Sequence, residues 1–185
     1  MMYRIEKVLN HNTVIAIHQD DHKEVLIMGK GVGFGRKVAE RIEVRPEDRL
    51  YSLQKYKERG GAKEIVKSIA PEFLELTNAV LDEAEKVFGK IDRMVLFPLA
   101  DHIAFAVKRI QNHEQISNPL TEDIRVLFHM EFKVAESIRP LLKKQFQIEI
   151  EDDEIGYVAL HIHSAIEDEK VSQRSEEHTS ELQSL

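Results

Sequence analysis

The spacing of apolar residues changes once along this chain, and the change limits the folds that the chain can adopt. In residues 2–53 the apolar positions come in short, partly alternating runs, which is typical of half-buried strands. From Pro71 onward they recur every three or four residues, which indicates amphipathic helices. The pattern therefore predicts an α+β chain with two domains, a small antiparallel β-sheet followed by an all-α helical bundle.

Turn signals divide the first domain into strands. Asn10 and Asn12 flank one predicted turn, because asparagine tolerates positive φ and caps its own backbone, and residues 19–22 form another. A sheet this small has a thin core and would gain from dimerisation. The predicted strands are residues 2–9, 13–17 and 23–28, with 42–44 or 50–53 as a fourth.

A polar connector, residues 54–61, ends in two glycines and marks the domain boundary. We place the first domain at residues 1–56, a linker at 57–64 and the helical domain at 65–172. The predicted helical segments are residues 71–90, 91–112 with a kink or restart at Pro98, 118–144 with a bend at Pro140, and 155–169. Residues 173–185 lack a pattern of core residues, and we expect a non-native or disordered tail there.

A glycine-rich stretch, residues 29–35, places Phe34 among Lys30, Arg36 and Lys37. Glycine lets a partner approach the main chain closely, and a stackable ring beside cations suits nucleic acid, RNA especially. A hairpin turn with ordinary surface cations fits the same residues. The stretch lacks the Gly-Lys-Ser/Thr ending of a phosphate-binding loop, so it does not predict nucleotide binding.

Charge and composition narrow the class of protein. Residues 1–55 contain ten Lys and Arg against eight Asp and Glu, whereas the remaining residues contain 16 against 25. This balance disfavours non-specific coating of DNA and allows a site-specific reader at the N-terminus. The absence of cysteine excludes a disulfide framework and thiolate metal sites and fits an intracellular protein. No apolar run approaches the ~20 residues of a membrane span, and no signal peptide opens the chain.

Two histidines, His102 and His161, fall on the edges of apolar helical stripes. Such histidines either form hydrogen bonds in a helix interface or carry phosphate, since imidazole is nucleophilic near neutral pH. His163 lies about 200° around the helix from His161, so the two cannot chelate one metal ion together.

Several motifs, in order along residues 2–168, resemble those of the BglG/LicT-type transcriptional antiterminators. The similar stretches are residues 10–12 and 28–34, which match the RNA-binding CAT head, and residues 101–106, 118–120 and 153–162, which match a PTS regulation domain (PRD) with its two histidine motifs.

The resemblance implies a cytoplasmic regulator rather than an enzyme, with no cofactor and no metal. Heads of this family dimerise as a β-sheet and bind a partly double-stranded RNA hairpin in a leader transcript. The bound hairpin keeps a terminator from forming ahead of a sugar-utilisation operon. Proteins of the sugar phosphotransferase system (PTS), namely HPr and the EIIB part of a permease, phosphorylate the regulation domain on histidines, and this controls dimerisation. The implied partners are RNA, a second copy of the chain and PTS proteins, without membrane insertion.

The family's functional residues carry over by motif. The implied phosphorylation sites are His102 and His161, with Asp101 beside the first. The implied RNA contacts are Asn10, Asn12, Gly29, Lys30, Gly31 and Phe34.

The chain departs from the family pattern at several positions. His11 stands where the family commonly has Asn, and Lys30 where Arg is common, which replaces a planar two-pronged donor by a point charge. Residues 38–49, with Pro46, do not follow the usual lysine-rich turn. The family normally has two regulation domains, and one precedes the predicted tail.

Two other hypotheses stay open on the sequence. One is a phosphohistidine-carrying transferase or signalling domain centred on His102 and His161 that does not bind RNA. The other is the product of a truncated gene that folds but no longer responds to the inducing sugar.

Overall fold

The computed structural model describes residues 1–53, 61–114 and 116–183, with side chains as far as Glu176. The chain divides into two compact units, Met1–Glu75 and Leu76–Leu185. Residues 54–60 of the predicted connector lie outside the described residues, and the predicted domain bounds stay predictions. None of the described helices is long and apolar enough to cross a membrane.

The first unit contains a five-stranded antiparallel sheet with the order β4-β1-β2-β3-β5. Both candidates for a fourth strand form strands, one at each edge of the sheet. A short helix, α1, follows the sheet. The bounds are β1 Met2–Asn10, β2 Thr13–His18, β3 Glu24–Met28, β4 Arg41–Glu43, β5 Arg49–Ser52 and α1 Ala62–Ser68.

Apolar residues at alternate positions along the strands form the core of this unit. Alternate apolar side chains of β1, β2 and β3 share one face, while Leu26 is buried on the other face of β3. The register between β1 and β2 shifts twice, after Ile5 and after Val8, so Asn10 still pairs with Thr13 beside the turn. The core cluster contains Tyr3, Ile5, Val14, Ala16, Ile27, Val32 and Ile42.

The second unit is all-helical apart from its connections. Its last helix, α7, packs against α3, α4 and α5 and buries Ile155, Val158 and Ile162. A 3-10 turn at Arg93–Val95 precedes α3. The bounds are α2 Pro71–Phe88, α3 Leu96–Gln111, α4 Thr121–Leu127, α5 His129–Ala135, α6 Ile138–Phe146 and α7 Asp152–Gln183. The division between the two units falls inside α2.

The predicted third helical segment is three helices rather than one bent helix. Its breaks lie at Phe128, where φ is −121° and ψ is 52°, and between Ala135 and Ile138. Pro140 is not a break, because it occupies the first turn of α6, where a missing backbone N–H is tolerated. Pro98 occupies the first turn of α3 in the same way.

The long helix α7 extends through most of the predicted tail, to Gln183. Its first turn carries Asp152, Asp153 and Glu154, which is favourable beside the exposed amides of a helix N-terminus. The prediction that residues 173–185 are a non-native or disordered tail stays a prediction.

Replacing Gly33 by Ala is expected to destabilise the first unit strongly. An added Cβ would lie 2.2 Å from the carbonyl oxygen of Asn10 and 3.2 Å from Cγ1 of Val8 and of Val14. Because backbone must move to relieve the first contact, we expect a loss of about 3 kcal/mol in the free energy of unfolding, measured by urea denaturation. The matched variant is Gly35→Ala, which meets no neighbour but has φ +69° and is expected to lose only about 1 kcal/mol. Equal losses for the two variants would contradict this packing.

Candidate functional sites

The glycine-rich stretch forms consecutive tight turns between β3 and β4. The amide of Val32 donates to the carbonyl of Gly29 at 3.1 Å, and the amide of Phe34 donates to the carbonyl of Gly31 at 3.0 Å. Gly31 has φ +72°, a region that favours glycine. We call residues 29–35 the glycine loop.

The turn between β1 and β2 is hydrogen-bonded to the glycine loop. The side-chain oxygen of Asn12 accepts from the amide of Gly31 at 2.8 Å, and the backbone carbonyl of Asn12 accepts from the amide of Gly29 at 3.0 Å. The side-chain oxygen of Asn10 accepts from the amide of Asn12 at 2.9 Å. These bonds place all six predicted RNA contacts, including Lys30 and Phe34, in two adjoining segments. The internal role of the Asn12 oxygen was not predicted.

A second support of the glycine loop is Asp48, which was not among the predicted site residues. It is buried, and it binds Arg45 through the backbone amide at 2.9 Å and through Nη2 at 2.8 Å. The same Arg45 guanidinium donates to the carbonyl of Lys30 at 2.7 Å. A Cβ on Gly29 would lie 1.9 Å from Oδ1 of Asp48, so a larger residue there would displace this buried side chain. The available signal was Pro46, which favours a turn directly after Arg45.

The outer surface of the glycine loop presents an aromatic ring and a cation. Phe34 is 67% exposed although it is apolar, and the His11 ring meets it edge to face at 5.0 Å. Lys30 is exposed. An exposed ring next to a cation and backbone amides can stack on an unpaired base and contact phosphate.

In the second unit, α3 and α7 bring the two predicted histidines together. The ring centroids of His102 and His161 are 5.5 Å apart, and the Tyr157 ring lies 5.6 Å from that of His102. Both histidines are partly buried, as their positions on the edges of apolar stripes predicted.

The carboxylate that faces His102 is Glu154, which the sequence analysis did not single out. Glu154 is 2% exposed, its Oε1 accepts from Nη2 of Arg109 at 2.6 Å, and its Oε2 lies 3.3 Å from Nε2 of His102. Arg109 is seven residues after His102, so both project from one face of α3 towards α7. The side chain of Asp101, the predicted neighbour, forms no hydrogen bond or ion pair within the described part of the chain. No sequence spacing indicates the Glu154 contact, because the partners lie on different helices.

Burial and charge set the protonation of this cluster. Burial alone would raise the pKa of Glu154, but the contact with His102 and the Arg109 guanidinium outweigh it and hold that pKa below its usual value. Burial lowers the pKa of His161 to about 4, and the nearby His102 contributes in the same direction. His161 is therefore neutral near pH 7, with a lone pair on its ring.

Residues at and just before the start of α4 contact the first turns of α7. The hydroxyl of Thr121 donates to Oδ1 of Asp153 at 2.6 Å, and Asn118 donates to the carbonyl of Asp153 at 3.3 Å. A Cβ on Gly156 would lie 2.9 Å from the Asn118 amide nitrogen, so this glycine permits a close approach. These residues fix the helix that carries His161.

His163 lies away from the His102 cluster. Its Nδ1 is 2.9 Å from Oε2 of Glu131, and its ring lies 4.1 Å from the ring of Phe128. Among the residues that the structure describes, no three His, Asp or Glu side chains are grouped so as to hold a metal ion.

Both units match the models of known domain families. Residues 3–60 match the model of the CAT RNA binding domain, and residues 75–165 match the model of the PRD domain. The chain is similar to the GlcA/glcB genes antiterminator of Staphylococcus carnosus, at 34% identity over 90% of this chain and 58% of the relative. It is also similar to Protein GlcT of Staphylococcus epidermidis, at 30% identity over 88% of this chain and 57% of the relative. It thus spans less than two thirds of either relative.

A solved structure has the same fold. The crystal structure of GlcT CAT-PRDI matches with a TM-score of 0.75 and 30% identity, and the match covers 90% of this chain and 99% of that chain. The predicted α+β architecture and the predicted order of the two domain types are confirmed.

Acidification is expected to destabilise the second unit through His161. Its pKa is about 4 when folded and about 6.5 when unfolded, so between these pH values only the unfolded chain binds the proton. His161 therefore does not lower the free energy of unfolding above pH 6.5. As the pH falls towards 4, it lowers that free energy by at most about 3 kcal/mol. This loss is measured by urea denaturation of the wild type and of His161→Gln at several pH values. It equals the change with pH in the difference between their free energies of unfolding. Parallel pH profiles for the two proteins would contradict the burial of a neutral His161.

Proposed function

The chain belongs to the transcriptional antiterminator family that joins a CAT RNA binding domain to a PRD domain, and from that membership we propose that it binds an RNA hairpin and prevents transcription termination. The hairpin lies in the leader transcript of a sugar-utilisation operon, and holding it excludes the terminator. The site of action is the cytoplasm, where the nascent transcript is available.

The proposal of RNA binding is supported by the surface that the β1–β2 turn and the glycine loop form together in the first unit. Asn12 and the Arg45–Asp48 pair hold the glycine loop from behind, so Phe34 and Lys30 are presented outward. Fixing these groups in advance reduces the conformational entropy that binding must remove. Phe34 stacks on an unpaired base, and Lys30 contacts phosphate. Asn10 and Asn12 contact base edges with the hydrogen-bonding capacity that remains after their internal bonds to Glu75, to the Asn12 amide and to the Gly31 amide.

We assign the second unit a regulatory role. His102 and His161 accept phosphoryl groups from PTS proteins, HPr or a permease EIIB, and the chain acts as a homodimer. A phosphohistidine adds up to about two negative charges. Where copies of the histidine site face each other across a dimer, that charge disfavours association and therefore RNA binding.

The alternative is a phosphohistidine transferase without RNA binding. It is supported by the 5.5 Å separation of the two histidine rings, which would allow a phosphoryl group to pass onward. The two functions differ in outcome, because a regulator accepts phosphate stoichiometrically whereas a transferase turns over a phosphorylated small molecule. Family membership favours the regulator.

Phe34→Ala is expected to weaken RNA binding without loss of stability. Loss of one base–aromatic stack corresponds to about 1–3 kcal/mol, or roughly a 5- to 150-fold rise in Kd. Titration calorimetry of the full chain with a leader hairpin measures this, with a fully paired RNA of equal length as the competitor. The matched control is Phe105→Ala, which removes another exposed phenylalanine, 59% exposed on α3. Wild-type binding no tighter to the hairpin than to the duplex would contradict the proposed function.

A further inference from the structure

The cluster around His102 contains a buried carboxylate, and one of its oxygens has no hydrogen-bond partner among the described residues. An ionised carboxylate that loses its water must be paired, and Oε1 of Glu154 is paired with Arg109 at 2.6 Å. Oε2 is buried without a hydrogen-bond partner among the described residues, and Nε2 of His102 lies 3.3 Å from it. That nitrogen is likewise buried and has no hydrogen-bond partner in the described part of the chain, so the two unpartnered atoms face each other.

The protonation of Nε2 follows from its neighbour. A carboxylate only accepts hydrogen bonds, so its negative charge favours the tautomer that carries hydrogen on the nitrogen facing it. In a neutral imidazole the other nitrogen, Nδ1, then has the lone pair. His161 and Tyr157 border the same ring, and neither forms a hydrogen bond to it in the structure.

We propose that Glu154, held by Arg109, is a positioning residue that fixes His102 as the Nε2–H tautomer and makes Nδ1 the atom that accepts the phosphoryl group. The inference rests on the proposed phosphorylation of His102. It adds the acceptor atom and the two residues that determine it.

The transfer step balances without a proton relay. The Nδ1 lone pair attacks the phosphorus of a phosphohistidine on a donor protein, and the N–P bond of the donor breaks with its electron pair returning to the donor ring. The donor enters as a protonated phosphoimidazole and leaves as neutral imidazole. The His102 ring keeps its Nε2 hydrogen and becomes the positively charged phosphoimidazole. Glu154 faces that N–H, so it stabilises the charge that develops during transfer.

The first test reads the tautomer before any phosphate is added. Long-range proton–nitrogen NMR of the full chain, labelled with ¹⁵N-histidine, distinguishes Nε2–H from Nδ1–H at neutral pH. We expect His102 to be the Nε2–H form. An Nδ1–H form, or an even mixture of the two, would overturn the proposal irrespective of phosphorylation.

The second test locates the phosphoryl group. The labelled chain is treated with phosphorylated HPr or with potassium phosphoramidate, and the one-bond phosphorus–nitrogen coupling identifies the modified nitrogen. Coupling to Nδ1 of His102 supports the proposal, whereas coupling to Nε2 overturns the assignment but leaves the proposed regulation intact. Phosphate on neither His102 nor His161 with both donors would overturn the regulation itself, and the acceptor assignment with it.

Paired substitutions separate positioning from folding. Glu154→Gln is expected to give a mixture of His102 tautomers and to slow phosphorylation by about tenfold or more, comparable with carboxylate–histidine pairs at metal sites. The matched control is Glu131→Gln, which removes the partly buried carboxylate beside His163 and should leave His102 unchanged. Retention of the single tautomer and of the wild-type rate in folded Glu154→Gln would overturn the role of Glu154. If that variant unfolds, the two wild-type measurements decide the question.

Discussion

A carboxylate that is removed from water requires compensation, and in the helical unit this requirement falls on Glu154. Its two oxygens face Arg109 and His102, both on α3, while Glu154 itself lies on the first turn of α7. The ion pair therefore connects the two helices that carry the histidines and keeps their rings within 5.5 Å. Breaking such a buried pair from one side costs several kcal/mol, so the helix contact and the chemistry of His102 depend on the same group.

In the sheet unit, polar groups also require partners, but there they are backbone amides and carbonyls of the glycine loop rather than a titratable ring. A glycine-rich loop has many amides and few side chains to hold it, so its shape depends on what those amides bond to. Asn12 accepts from the amides of Gly31 and Gly29, and Arg45 donates to the carbonyl of Lys30, with Asp48 buried beside Arg45. Polar groups inside thus fix the loop, and the exposed ring of Phe34 needs no internal partner.

Local periodicity was enough to predict the two kinds of domain, because strands and helices place apolar residues at different intervals. It could not place the strands at residues 41–43 and 49–52 on opposite edges, since strand order depends on pairing across the whole unit. It also assigned a bend to Pro140, whereas the breaks lie at Phe128 and between Ala135 and Ile138. Glu154 was missed for a related reason, because its partner is distant in sequence and only the fold brings the two together.

We propose that one unit binds RNA and that phosphorylation in the other unit controls that binding. Single-round transcription through a leader terminator, with the full chain added before and after treatment with phosphorylated HPr, tests it most directly. We expect that the chain increases read-through, that phosphorylation lowers this increase, and that a His102→Ala, His161→Ala double variant no longer responds to the treatment. Read-through that is the same with and without the chain, or the same for its phosphorylated and unphosphorylated forms, would contradict it.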